Sequence, residues 1–365
     1  MTETVLHRIF GQLSDPRINR KKKHLLIDIV ILSVLAVLSG AGSWDAIELY
    51  GKENLPFLKQ ILRLPNGIPS HDTINRVFGI INPRHFERLF AQWANRLKSS
   101  GILEKVVAID GKTVRGSKDT FHDKSPIHLV HAWSVENNLC LGQFKTADKS
   151  NEITAIPELL EILEIGGSIV TIDAMGTLRA IAEKIIEKQA DYILAVKDNQ
   201  KGLREEVMAS CERHCPVSDT TEAEKGHGRI ESRRCQVFEK GLIVDSEGNW
   251  ANLQSVIKIT STRETGGKVT TEERYYISSL STDNPFNRYI RGHWGVENSL
   301  HWTLDMVFRE DGQRKRDKRA AENFAIVRKI ALNLLKKDTS TKASLVSKRL
   351  KAAWNKDYLI NLLKF

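Results

Sequence analysis

Val106-Val107-Ala108-Ile109-Asp110 is a short, continuously apolar run that ends in an acid. Such a run reads as a buried β-strand, and a carboxylate at its end is too costly to leave ionised inside a core. Downstream, Ile127–Val135 alternates apolar and polar residues, Asn137-Asn138 makes a turn, and Leu139–Thr146 returns. That is a hairpin pattern. A helix is expected from about Glu152 to Glu164, with Asn151 as its N-cap. Ser168-Ile169-Val170-Thr171-Ile172-Asp173 then repeats the apolar strand with a terminal acid. The helix Thr177–Gln189 leads to a third strand, Tyr192–Val196, followed by Lys197-Asp198-Asn199. The order β, hairpin, α, β, α, β implies an α/β fold with a mixed sheet and helices on its faces.

Upstream, residues 1–100 read as helices over Val5–Leu13, Leu25–Leu38, Trp44–Leu58, Ser70–Ile81 and Arg84–Lys98, with Ser70 as an N-cap and Asn82-Pro83 as a break. Leu25–Gly42 is the most apolar run, but it contains Asp28 and ends in Ser39-Gly40-Ala41-Gly42. A membrane span needs about 20 apolar residues, so this run is read as a buried helix, with no membrane partner and a cytoplasmic location expected. Downstream, strand texture returns from about Arg229 to Leu280 at Cys235–Phe238, Ser255–Ser261 and Arg274–Ile277, a β-rich insertion at about 225–283. The region from 313 to 365 is basic and helical, over Ala320–Lys336 and Ser344–Trp354.

The net charge of +10 is concentrated there: residues 313–365 hold 15 Lys/Arg against 4 Asp/Glu, a net of +11, which leaves residues 1–312 near −1. A basic end on a near-neutral body points to a polyanion, nucleic acid before membrane. Four cysteines in 365 residues do not make a disulfide framework. Cys211, His214, Cys215, His227 and Cys235 contain no Cys-x-x-Cys pair, which argues against a zinc site.

Between the insertion and the basic region lies Arg291-Gly-His-Trp-Gly-Val-Glu-Asn-Ser-Leu-His-Trp-Thr-Leu-Asp305. At 100° per residue this is one two-sided helix, with Val296, Leu300, Leu304 and Val307 as its apolar stripe. Glu297 sits at the edge of that stripe, with His293, His301 and Asp305 at helical spacing around it. Two strand-end aspartates and a helix-borne glutamate are hard oxygen donors suited to Mg²⁺, with Mn²⁺ as substitute. A pair of such ions can activate the attacking oxygen and stabilise the leaving oxygen of a phosphodiester. Asp305, Glu310 and Asp311 are rival carboxylates for the third position. A zinc site on His293, Glu297 and His301 is set aside, because the outer two lie about 12 Å apart along a helix.

Asp110-Gly-Lys-Thr-Val-Arg-Gly116, Asp173-Ala-Met-Gly176 and His293-Trp-Gly-Val-Glu-Asn-Ser-Leu-His-Trp302 resemble the H-repeat-associated family of bacterial insertion-sequence transposases, of the DDE class. The resemblance runs from the helical N-terminal region to about Lys336. It implies a ribonuclease H-like core with a β-rich insertion over 101–312, flanked by helical regions over 1–100 and 313–365. It makes Asp110, Asp173 and Glu297 the metal-binding, catalytic triad. Related transposases carry Tyr, Arg and Lys around the Glu, where this chain has Ile290, His293 and Leu304. The implied activity is cleavage of transposon ends and transfer of the 3′-hydroxyl to double-stranded target DNA, and pairing two ends implies at least a dimer. Metal-dependent nuclease action without strand transfer, and a transposase-derived DNA-binding protein without activity, are the alternatives.

Residues placed to meet DNA are Lys112, Arg115, Lys197 and Asn199 after strand ends, and Arg291, His293 and His301 around the Glu. Trp294 and Trp302 are placed to stack on an unpaired base, or to pack against the insertion. Arg314, Lys315, Arg316, Lys318 and Arg319 form a basic cluster suited to phosphates.

Overall fold

Nine strands form one sheet in the computed structural model, which describes residues 4–98, 105–147, 152–226, 229–241 and 244–365. They are β1 (Val106–Val114), β2 (Ile127–Ser134), β3 (Leu139–Lys145), β4 (Ile169–Ile172), β5 (Asp191–Val196), β6 (Ser218–Gly226), β7 (Arg229–Glu239), β8 (Ser255–Thr265) and β9 (Lys268–Ser278). Their spatial order is β3-β2-β1-β4-β5-β9-β8-β7-β6. β1, β4 and β5 run parallel and every other neighbouring pair is antiparallel. This is the mixed sheet expected, extended at the β5 edge by the insertion.

The parallel strands are buried on both faces, which is why they read as unbroken apolar runs. β1 differs from its reading in one respect. It does not stop at Asp110 but continues to Val114, because the hairpin partner β2 keeps pairing through Val114↔Ile127 after the ladder to β4 has ended at Ile109↔Ile172. Asp110 therefore stands where the parallel ladder ends, not where the strand ends. In the insertion, β7, β8 and β9 each run 11 residues, longer than the apolar cores that mark them. β6 carries no such core: from Asp219 to Gly226 it is exposed, so no alternation announces it. The helix Lys201–Arg213 between β5 and β6 likewise carries no pattern that sets it apart in the sequence.

Helices from both ends of the chain share one apolar cluster. The helix Leu26–Leu38 is buried at every residue but Ile27, and Asp28 within it accepts the Leu64 amide at 2.8 Å. Ser70 caps the helix His71–Ile80, as expected, and Asn82, expected as part of a break, caps Pro83–Arg96. The 20-residue helix Lys318–Lys337 runs through this cluster and is buried from Ala320 to Leu335. Its charged residues Arg328 and Lys329 are interior, as are Lys315 and Lys348 on either side, so part of the C-terminal positive charge is structural. Among the described residues no helix is long and apolar enough to cross a membrane. Asn151 and His227 lie outside the described residues, as does the expected boundary near residue 100.

Candidate active site

Asp110 and Asp173 are brought together by register. Ile109 pairs with Ile172 across the parallel ladder, so the next residue on each strand is an acid at the same level of the sheet. Asp173 begins a tight turn, Ala174–Gly176, and its Oδ1 accepts the Met175 amide at 3.0 Å. The carboxyl end of such a parallel ladder is where α/β sheets place ligands.

Glu297 arrives from a broken helix. The helix Phe286–His293 ends, and a π-helical turn, Val296–His301, carries the glutamate before α-helix resumes at Trp302–Met306. A π turn is uncommon and tends to mark functional positions. Val296, Leu300 and Leu304 are fully buried, which pins the turn while Glu297 stays exposed. Close approach to the sheet requires small residues: a Cβ on Gly295 would stand 3.3 Å from Trp133 Nε1, and one on Gly292 3.1 Å from Val135. Asp110, Asp173 and Glu297 all line one cleft of about 360 Å³. It adjoins a groove of about 740 Å³ on the insertion, where Arg233, Arg263, Arg274 and Arg291 are paired with Glu231, Glu272 and Glu224; Glu272, Arg274, Trp294 and Glu297 border both.

The electrostatics are those of crowded acids. Burial, then the charges of Glu152, Asp173 and Glu297, push the Asp110 carboxyl up to about 7. Burial and Glu152 also raise Asp173, against a partial offset from Lys197. Repulsion of this kind is what a bound divalent cation relieves. Among the described residues, however, no three His, Cys, Asp or Glu side chains stand close enough together to hold a metal ion. The acids share a cleft and a field without forming a preformed coordination sphere.

The flanking histidines are interior. His293 Nδ1 and Thr171 Oγ1 share a hydrogen bond of 2.9 Å, and burial pulls the ring down to about 4, so it is neutral. His301 lies 3.7 Å from Asp110 and 3.1 Å from His131, and burial and Lys112 pull it down to about 3. Neither imidazole is a cation for DNA at neutral pH. His301 instead backs Asp110.

The remaining candidates divide by accessibility. Lys112 is buried against Asp305, Glu310 and Asp311 at 2.8, 3.3 and 3.2 Å. Lys315 is buried, donates to the Gly42 carbonyl at 2.8 Å, and lies over the Phe324 ring. Both are corrected from surface contacts to structural ones, because a buried ammonium already held by acids or carbonyls does not meet a phosphate. The same ion pairs occupy Asp305, Glu310 and Asp311, which removes them as rivals of Glu297. Asn199 donates to the Ala174 carbonyl at 2.5 Å and so braces the turn after Asp173. Lys197 is exposed and lines the cleft. Arg291 pairs with Glu224 on β6, and Trp294 stacks under Arg274 of β9 at 4.9 Å, so both tie the broken helix to the insertion. Trp302 is 58% exposed. Arg115, Arg314, Arg316 and Arg319 are exposed and Lys318 is half-buried. One acid has no counterpart among the sequence candidates: Glu152, which opens the turn before the helix Ala155–Ile162. A single acid in a first helical turn looks like an ordinary response to the helix dipole, so nothing in the sequence sets it apart.

Residues 102–334 match the family model described as transposase DDE domain, and residues 7–94 match the model of its associated region, DDE_Tnp_1-associated. The chain is 43% identical over 363 residues to the Escherichia coli K12 protein named "H repeat-associated putative transposase YhhI", covering 96% of this chain and 95% of that one. It is 53% identical over 57 residues to "Inactive transposase YbfQ" of the same strain, covering 16% of this chain and 68% of that one. Among solved structures, the piggyBac transposase synaptic complex with hairpin DNA aligns over 99% of this chain and 76% of that one, at 11% identity and a TM-score of 0.45.

Proposed function

The chain belongs to the DDE transposase family, and we propose that it cleaves phosphodiesters at the ends of its own insertion element and joins the freed 3′-hydroxyl to target DNA. The observation that carries this reading is that Asp110, Asp173 and Glu297 line one cleft beside a groove on the insertion. Asp110, Asp173 and Glu297 would hold Mg²⁺, or Mn²⁺ in its place, since their oxygens and mutual repulsion suit a hard divalent cation. When bound, such ions activate the attacking oxygen and stabilise the leaving oxygen of the phosphodiester.

The chain's own residues supply position. The parallel ladder fixes the two aspartates, and Glu297, exposed on its turn, has room to close on them. His301, neutral and braced by His131, packs behind Asp110 at 3.7 Å. Lys197, Arg274 and Trp294 border the path of a strand into the cleft. Outside it, Arg314, Arg316 and Arg319 are exposed to meet phosphates without reading sequence, as is Arg115 beside Asp311. Two element ends are brought together by at least a dimer.

Asp110→Asn, Asp173→Asn and Glu297→Gln are each expected to abolish metal-dependent cleavage of terminal-repeat DNA while leaving DNA binding within a few-fold. Supplying precut ends with free 3′-hydroxyls tests strand transfer separately from hydrolysis. Residual metal-dependent cleavage in all three variants overturns the triad, and transfer-deficient cleavage by the parent protein leaves a nuclease.

A further inference from the structure

Glu152 lies outside the motifs that hold Asp110, Asp173 and Glu297, yet it packs onto β1 next to Asp110. Its Oε1 is 2.8 Å from His128 Nε2, and the other ring nitrogen of His128 is 3.0 Å from Thr113 Oγ1. Thr113 and His128 are themselves cross-strand partners on β1 and β2. The Glu152–His128 pair sits directly over Gly111, the residue after Asp110. Any Cβ built there would overlap both Glu152 Oε1 and His128 Nε2. Gly111 is thus the gap in β1 that lets the carboxylate down onto the strand beside Asp110. On the other side, the turn Glu152–Thr154 lies against Ala174–Gly176, the turn that follows Asp173.

Glu152 therefore stands beside the residue that follows Asp110 and against the turn that follows Asp173. If the pair only capped a helix, this placement would be a liability. A partly exposed His–Glu pair stabilises by about 0–1 kcal/mol, whereas a further acid beside two buried ones works against the fold. A hard cation reverses that sign. Six-coordinate divalent ions take carboxylate, water and phosphate oxygens together, and a hydrogen-bonding partner that fixes a carboxylate's orientation is a recurrent support for such donors.

We propose that Glu152 is a fourth metal-facing carboxylate of this site, aimed by His128 and admitted by Gly111, an inference that rests on the divalent-metal reading above. Its side chain would either bind an ion directly or hold a water of its coordination shell.

The test is Mn²⁺ binding by the full-length chain, read from the electron paramagnetic resonance of free MnCl₂ with and without terminal-repeat DNA. Unfolding temperature serves as the control for folding. Glu152→Gln is expected to weaken Mn²⁺ binding by about tenfold or more. Glu152→Asp should recover part of that affinity, and His128→Ala, which frees the carboxylate without removing it, should fall between parent and Glu152→Gln. Parental Mn²⁺ affinity in folded Glu152→Gln, or in His128→Ala if the former does not fold, overturns the proposal. In that case loss of binding in Asp110→Asn leaves the triad reading standing. If the parent chain binds no Mn²⁺ with or without DNA, the triad reading and this proposal fall together.

Discussion

The Lys112 ammonium lies 2.8 Å from the Asp305 carboxylate, joining β1 two residues after Asp110 to the helix that follows Glu297. Each of these residues has a functional reading in the sequence, one toward DNA and the other as a rival third acid. Together they neutralise each other. Glu310, fully buried, joins at 3.3 Å and also contacts Arg328 at 3.3 Å. Removing one member of a buried ion pair strands the others, at about 3–5 kcal/mol. Lys112→Met is therefore expected to lower the unfolding free energy measured in urea by that order while leaving the salt dependence of DNA binding unchanged. A variant with parental stability and a flatter salt slope would return Lys112 to the DNA surface.

Glu310 gives this cluster a pH signature. Burial pushes its carboxyl up, but Lys329, Arg328 and Lys112 together outweigh that and hold it at about 2. Its ordinary value is 4.5, so the unfolded chain binds the proton first. The stability contributed is fully present above pH 4.5 and is lost as pH falls toward 2. Glu310→Gln should be less stable at neutral pH, and its acid limb between pH 4.5 and 2 should be shallower by up to about 1.4 kcal/mol per pH unit. Urea unfolding at stepped pH reads both, and an unchanged acid limb would remove Glu310 from the titration.

Asp110 carries the opposite sign. Its carboxyl titrates near 7 in the folded chain against 3.8 when unfolded, so the metal-free protein loses stability as pH rises through that window. Asp110→Asn removes the repulsion and is expected to raise the unfolding temperature of the metal-free protein at pH 8. MgCl₂ should stabilise the parent chain at that pH and have little effect on the variant. An Asp110→Asn protein less stable than its parent at pH 8 would mean that packing, not charge, dominates this position.

How much of this is legible in the sequence depends on whether a residue's neighbours along the chain are also its neighbours in space. Ile169–Ile172 and Asp191–Val196 are buried on both faces, and their apolar runs say so. β6 pairs along an exposed edge with polar side chains, and no periodicity records that. The four-residue spacing of Val296, Leu300 and Leu304 suits an α-helix and a π turn alike, so the break that presents Glu297 leaves no trace in the pattern. Lys112 meets Asp311 across 199 residues and Lys315 meets Gly42 across 273, distances over which local pattern is silent. The three acids proposed to hold metal stand out because each closes or edges an apolar segment within a motif that resembles the family's. Glu152, an acid at an ordinary helix start, does not.

The C-terminal cluster separates structural from surface charge within six residues. Arg314, Arg316 and Arg319 are exposed, while Lys315 among them is buried between Trp44 and Phe324. Each phosphate that a protein ceases to neutralise flattens the slope of log affinity against log salt by about 0.9. Reversing Arg314, Arg316 and Arg319 to Glu is expected to weaken binding to duplex DNA of any sequence and to flatten that slope by about 2.7 if all three touch phosphates. Lys315→Met should instead lower the unfolding temperature and leave the slope alone, since its ammonium contacts the Gly42 carbonyl and not solvent. Fluorescence anisotropy of labelled duplex across a salt series measures both variants. An unchanged slope in the triple reversal would move the phosphate track away from this cluster and toward Lys197 and the insertion groove.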